Sequence, residues 1–192
     1  MIVGVIGAPC SGKTTTAAMA FAALKETGVA CEFVPEQARV HIARLRLALP
    51  PGQPLVLTDQ DQLRIMESQL EMERMFRDSL GGGGVVITDT SAYLTLMYLS
   101  EDGRHHPKAR RVLEEAGYDL LFHCPPVPRD GMVGQDPNRV HSLEDSLEID
   151  RLMAGVFAEH VPGKYESAVR LSGSSLARHS TVMYELLRRL AS

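Results

Sequence analysis

The 192-residue sequence has no tryptophan, five tyrosines, five phenylalanines and only three cysteines. Aromatics at 5% argue against a stacking platform for single-stranded nucleic acid. Cys10, Cys31 and Cys124 are odd in number, form no CxxC pair and lack zinc-finger spacing to histidine. They predict neither a disulfide framework nor a metal knuckle, and a reducing, cytoplasmic setting is the simplest expectation. No apolar run reaches about 18 residues, so no membrane span is expected. The opening MIVGVIG has no basic segment before it, and no signal peptide is expected. Positive charge is not in excess either: 20 Lys and Arg against 24 Asp and Glu leave a net charge of −4. Bulk electrostatics therefore do not favour a polyanion, although a local basic patch stays open. Internal repeats and linker-like stretches are missing. The length predicts one domain, residues 1–192, and 44% hydrophobic with 23% charged residues rules out wholesale disorder.

Strand and helix signals alternate along the chain. The β-branched run 2–6 predicts a buried strand, and the Ala-rich stretch 14–26 a helix stopped by Gly28. A second strand is expected over 29–34, closed by Pro35. Helical spacing follows at Ala38, Ile42, Leu45 and Leu49 before the breaker Pro50-Pro51-Gly52. Asp59 is the expected N-cap of a long helix to about Leu80, with Leu63, Met66, Leu70 and Met72 on its apolar side and Met75 another filling methionine. Strand 85–89 follows four glycines. A helix is expected over 91–100, a polar loop over 101–107 and a helix over 108–116. Strand 118–124 leads into a Pro/Gly-punctuated loop, 125–141. Ser142 with Asp145 resembles a capping box opening a helix to about 160. A strand at 166–171 and a helix from Ser174 or Ser175 through Leu190 complete the chain. Such alternation predicts an α/β fold, a parallel sheet covered on both faces.

Chemistry enters with Gly7-Ala8-Pro9-Cys10-Ser11-Gly12-Lys13-Thr14, followed by Thr15. This octapeptide fits GxxxxGK[ST] between an expected strand and an expected helix, the context that gives the pattern meaning. Glycines let backbone N–H groups curl around a phosphate, and the helix N-terminus adds partial positive charge. Lys13 can reach β- and γ-phosphates of ATP, and the Thr14 hydroxyl can ligate Mg²⁺. A plain glycine turn would need neither the lysine nor the threonine.

Other candidates gather around that loop. Asp89 ends the apolar run VVITD, the usual form of a second carboxylate that organises Mg²⁺ or substrate. A helix N-cap or turn aspartate is the alternative, since Thr90 and Ser91 follow. Glu36 lies just past the second strand, at the edge where open α/β sheets bind ligands, and can take a proton from an acceptor hydroxyl. Arg39 can hold an acceptor or phosphate. The alternative is a first-turn glutamate paired i,i+3 with Arg39. Arg129 and Arg139, in the loop 125–141, are candidates for a lid that neutralises charge as the γ-phosphoryl leaves; a solvated loop is the alternative. Arg39, His41, Arg44 and Arg46 form a basic cluster, read either as a solvated helix face or as a contact with acceptor or nucleic-acid phosphates. His105-His106 are adjacent on a loop without partner spacing and read as solvated histidines rather than metal ligands.

Taken in order, GAPCSGKTT, VPEQAR, VVITDTSAYLTLMY, YDLLFHCPPVPRDG and LSGSSLARH resemble the P-loop kinases that include the nicotinamide-riboside kinase domain of bacterial NAD-biosynthesis regulators and related AAA-labelled phage proteins. The resemblance runs over nearly the whole chain. It implies ATP on residues 7–14, an acceptor beside Glu36 and Arg39, and metal or substrate at Asp89. The family's late loop often reads Asp-Gly-x-Arg, whereas this chain has Asp130-Gly131-Met132-Val133, leaving Arg129 or Arg139 to substitute. One phage branch phosphorylates hydroxymethylated pyrimidines within DNA, so the implied acceptor ranges from free nucleosides and nucleotides to a modified base in DNA. The fold expected is a five-stranded parallel sheet of order 2-3-1-4-5, with 36–80 on the acceptor side. The reaction expected is Mg²⁺-dependent transfer of the ATP γ-phosphoryl. A nucleotide-gated ATPase without an acceptor is the competing class. No NKxD segment points to guanine, and the length leaves no room for the helical lid of a large motor.

Overall fold

The computed structural model describes residues 1–50, 52–126 and 142–191. Five strands, β1 (Ile2–Ile6), β2 (Cys31–Val34), β3 (Val85–Thr88), β4 (Leu120–His123) and β5 (Val169–Arg170), form one sheet in the order β2-β3-β1-β4-β5. All its pairings are parallel. Seven α-helices occur among the described residues: α1 (Lys13–Glu26), α2 (Gln37–Ala48), α3 (Asp59–Ser79), α4 (Glu101–Arg104), α5 (Pro107–Glu115), α6 (Leu143–His160) and α7 (Ser175–Leu190). None of them is long and apolar enough to cross a membrane.

The period-two alternation of strand side chains divides the core into two layers. Val3, Val5, Val85, Ile87, Leu120 and Phe122 face α1 and α7, joining Ala17, Leu24, Val182 and Leu186. Ile2, Ile6, Val86 and Leu121 face the other way, against Leu63, Met66 and Leu70 of α3 and Met153 and Phe157 of α6. With both faces covered, the central strands carry no polar face, which is why VGVI and VVI read as unbroken apolar runs.

Several element ends differ from expectation for local reasons. Thr58, not Asp59, caps α3: its hydroxyl accepts from Asp61 N–H at 3.2 Å, and Asp61 accepts from Thr58 N–H at 3.0 Å. The Thr58 hydroxyl also donates to the Asp61 carboxylate at 2.6 Å, and this bond, the Thr58 N–H and His41 pull that carboxyl down to about 2. Asp59 instead accepts from the Ser100 N–H at 2.9 Å and from the Ser100 hydroxyl, tying α3 to the start of α4. The expected helix 91–100 is a 3₁₀ helix, Ala92–Tyr98. Its first amides are already used: Ser91 N–H goes to the Val5 carbonyl and Ala92 N–H to the Tyr118 hydroxyl. The polar stretch expected as loop contains the single-turn α4. Met75 is exposed rather than filling the core, and β5 shrinks to two residues at the sheet edge. The Ser142–Asp145 capping box forms as expected.

One carboxyl lies inside the second layer. Glu73 on α3 is 1% exposed. It accepts from the Tyr118 hydroxyl at 2.8 Å and from Gln69 Nε2 at 3.1 Å. Gln69 also donates to Thr88 and accepts from Gln37 N–H at 3.1 Å, so the network joins α3 to the end of β3 and the start of α2. Burial pushes Glu73 up from 4.5 to about 7, against the lowering bonds from Tyr118, Gln69 and Thr88. The folded state therefore holds a proton that the unfolded chain releases earlier. The contribution of Glu73 to stability is greatest below about 4.5 and is lost as pH rises through about 7, by roughly 3 kcal/mol in all. Glu73→Gln, which mimics the neutral acid, is expected to remove this slope, measured by urea unfolding at pH 5 and pH 8. An unchanged slope in the variant would assign the pH dependence elsewhere.

Candidate functional site

The loop between β1 and α1 is shaped by backbone demands that glycine meets. Gly7 has φ +150°, and a Cβ there would lie 2.2 Å from the Cys124 carbonyl oxygen. Gly12, at φ +89°, turns the chain into α1. Between them Ala8 is fully buried, Pro9 and Cys10 are half-buried, and Ser11 is buried. Cys10 adopts the left-handed φ of +62° without being glycine, the kind of local strain that persists where the surrounding loop over-determines it. Lys13 is 8% exposed, and its ammonium donates to the carbonyls of Gly7 at 2.9 Å and Ala8 at 3.0 Å. It therefore sits over the loop's rim. Thr14 and Thr15 open α1 with exposed side chains.

Asp89 comes to this loop from β3. Its N–H bonds the Val34 carbonyl at 2.9 Å, extending the sheet by one residue. The Thr14 hydroxyl donates to Asp89 Oδ2 at 2.8 Å, while Oδ1 is buried and has no hydrogen-bond partner among the described residues. Burial raises the Asp89 carboxyl and nearby Glu36 adds to that; Thr14, Lys13 and Arg39 pull it down. A buried carboxylate oxygen left unmatched is costly in a closed core. It suits a site whose remaining partner is a hard cation or that cation's water, with the Thr14 hydroxyl as second ligand.

Glu36 occupies the N-cap position of α2, yet its carboxylate makes no capping bond. The first N–H of the helix, from Gln37, goes to Gln69 instead. Glu36 accepts from Arg39 Nε at 2.9 Å and forms part of a cleft with Ala38, Gln62, Ile65, Gln69, Thr90, Leu94, Thr95 and Tyr98. The cleft is narrow, enclosing about 20 Å³ of water-accessible space. Thr90, beside Asp89, has a buried hydroxyl without a partner among the described residues. Burial pushes the Tyr98 phenol up, and the Glu36 charge pushes it further. Polar side chains thus stand around a cleft whose exposed lining is mostly apolar, with Ala38, Ile65, Leu94 and Tyr98 among its walls.

The fold brings Gly7, Ala8, Pro9, Cys10, Ser11, Gly12, Lys13, Thr14 and Thr15 together with Asp89, and sets Glu36 and Arg39 within electrostatic reach of that aspartate. Arg129 and Arg139 lie outside the described residues. In the basic cluster, His41 Nε2 is 3.0 Å from Asp61 and Arg39 pairs with Glu36, so two of the four face local carboxylates. Sequence reading missed Arg178. From α7, 2% exposed, it donates to the Ser11 carbonyl at 2.8 Å and to the Pro125 carbonyl at 3.0 Å. This guanidinium fixes the underside of the loop and ties it to the chain leaving β4. The signal was its spacing: Arg178 stands four residues before Val182 and eight before Leu186, on the buried stripe of its helix.

Comparison with known proteins agrees with this architecture. Curated protein sequences offer no match. Among solved structures, NadR protein in complex with NR superposes over 100% of this chain and 52% of its own, with TM-score 0.74 and 20% identity. NadR protein in complex with NAD and AMP-PNP superposes over 97% of this chain and 48% of its own, with TM-score 0.71 and 19% identity. At such identities the likeness is one of fold, that of a P-loop NTPase. The chain spans about half the length of those proteins. A family model described as an AAA domain matches residues 2–163, a span that includes the glycine loop, Glu36, Asp89 and the first four strands, and the chain belongs to that family.

Proposed function

We propose that the chain is an ATP- and Mg²⁺-dependent kinase that passes the γ-phosphoryl to a hydroxyl or phosphate of a nucleoside- or nucleotide-type acceptor. The observation that carries this reading is one of placement. Thr90, the residue after Asp89, and Glu36 line the same cleft, so a donor site on the loop and a cleft with polar side chains at its rim share an edge. NadR, which has this fold, binds NR in one structure and NAD with AMP-PNP in another. Ligands of nucleoside and nucleotide type on proteins that share this fold support an acceptor of that class.

In this reading residues 1–192 act as one kinase domain, with 36–80 on the acceptor side. The amides of the loop and the Lys13 ammonium bind the β- and γ-phosphates. The Thr14 hydroxyl and Asp89 carboxylate hold Mg²⁺, which when bound neutralises charge on the phosphate oxygens. Glu36 accepts the acceptor's proton, and Arg39 orients the acceptor or its phosphate. Gln62, Thr90 and Thr95 supply the polar edge that selects it. Arg129 and Arg139 are the candidates for neutralising the departing γ-phosphoryl. Phosphoryl transfer asks little covalent chemistry of a protein, so positioning and charge supply most of the acceleration.

The test offers γ-labelled ATP and Mg²⁺ with nucleosides, nucleoside monophosphates, NR, and plain or hydroxymethylated DNA. Label is expected on a nucleoside- or nucleotide-type product. Release of label only as inorganic phosphate, at a rate indifferent to every acceptor, would replace this reading with an ATPase or nucleotide-gated switch.

A further inference from the structure

Two imidazoles and a carboxylate converge on residues that take no part in the loop or the cleft. His105 ends α4, while Glu159 and His160 end α6, more than fifty positions later in the chain. Adjacent histidines on a loop give no ligand spacing, which is why sequence alone discounts His105; the missing partners arrive from another helix. Glu159 Oε1 is 4.0 Å from His105 Nε2 and 3.8 Å from His160 Nε2, and one ligand atom from each residue lies within 4.8 Å of the others. The two rings lie side by side, centroids 5.2 Å apart.

We propose that His105, Glu159 and His160 form a binding site for a divalent late transition-metal ion, Zn²⁺ foremost. Two imidazole nitrogens and one carboxylate oxygen are a borderline donor set, suited to Zn²⁺, Co²⁺ or Ni²⁺ and poorly suited to Mg²⁺. Bonds of about 2.0–2.1 Å in a tetrahedral site set neighbouring donors about 3.3 Å apart. The two separations involving Glu159 exceed that by about 0.5–0.7 Å. His105 and Glu159 are exposed and free to rotate inward, whereas His160 is mostly buried and supplies the fixed donor. Three protein ligands leave a fourth position to water. Bound metal would staple the α4–α5 turn to the end of α6. Both helices flank the 3₁₀ helix, whose Leu94, Thr95 and Tyr98 wall the cleft. The site therefore takes a different class of cation from the one assigned to Thr14 and Asp89, and stands whether or not the chain is a kinase.

The experiment uses tag-free full chain, stripped with a chelator and kept in millimolar Mg²⁺, titrated with ZnCl₂ by calorimetry. Uptake of one equivalent is expected, with a rise in Tm and, with CoCl₂, a visible absorption band of tetrahedral type. His105→Gln, at an exposed position that should not disturb folding, is expected to weaken Zn²⁺ by at least tenfold, and His160→Gln to abolish the cobalt band. Cys10→Ser should leave both unchanged. No uptake by the wild-type chain, or equal uptake by His105→Gln and His160→Gln, overturns the proposal and leaves the three side chains as a surface ion pair.

Discussion

Lys13→Ala is expected to lower phosphoryl transfer by about a thousandfold or more, the scale lost when one preorganised charge is taken from a water-excluded transition state. The expectation rests on where the ammonium sits. It is nearly buried, and both of its bonds run to carbonyls of the loop it must serve, Gly7 and Ala8. A surface lysine would have to be drawn in and ordered; this one is already confined to the rim of the cradle, so its charge costs little reorganisation when phosphate arrives. Lys13→Met, which keeps the stem and removes only the charge, separates catalysis from loop integrity. Single-turnover rates at saturating ATP should fall alike in both variants, while urea unfolding should report a larger stability loss in the alanine variant. A rate within tenfold of wild type in Lys13→Met would remove the ammonium from the chemistry and leave it a loop-closing group.

Much of this arrangement was legible in the sequence because its causes are local. The octapeptide from Gly7 to Thr14 carries its own geometry, and unbroken apolar runs announced a sheet buried on both faces. Asp89 could be placed from the strand it ends. What stayed hidden are polar residues standing on apolar stripes. Glu73 follows Leu70 by three and Met66 by seven, and Arg178 and Gln69 occupy equivalent positions on their helices. Taken residue by residue, a glutamate or arginine reads as solvent-facing; taken by spacing, each belongs to the core and must be paired there. The partners come from Tyr118, Thr88, the Ser11 carbonyl and the Pro125 carbonyl, distant in sequence, and no local pattern announces them. The entry to the 3₁₀ helix was hidden in the same way, since the phenol that accepts from the Ala92 N–H comes from just before β4.

Glu36→Gln is expected to lower turnover by about 10²-fold or more while changing ATP affinity by less than about threefold, the pattern of a residue that acts on the acceptor's proton rather than on the donor. Two readings of this glutamate make opposite predictions. As a first-turn helical residue paired with Arg39, it would contribute about 0.3–0.5 kcal/mol to stability and nothing to rate. The structure weakens that reading at one point: the duty of capping α2 falls to Gln69, and the Glu36 carboxylate makes no capping bond. Its bond to Arg39 joins a cleft residue to a neighbour on α2, and an acceptor hydroxyl or phosphate can divide the pair between proton acceptance and charge recognition. Glutamine preserves size and can still accept from Arg39, so the substitution removes the proton acceptor and little else. A variant that keeps the wild-type rate would place the base elsewhere and return Glu36 to the helix.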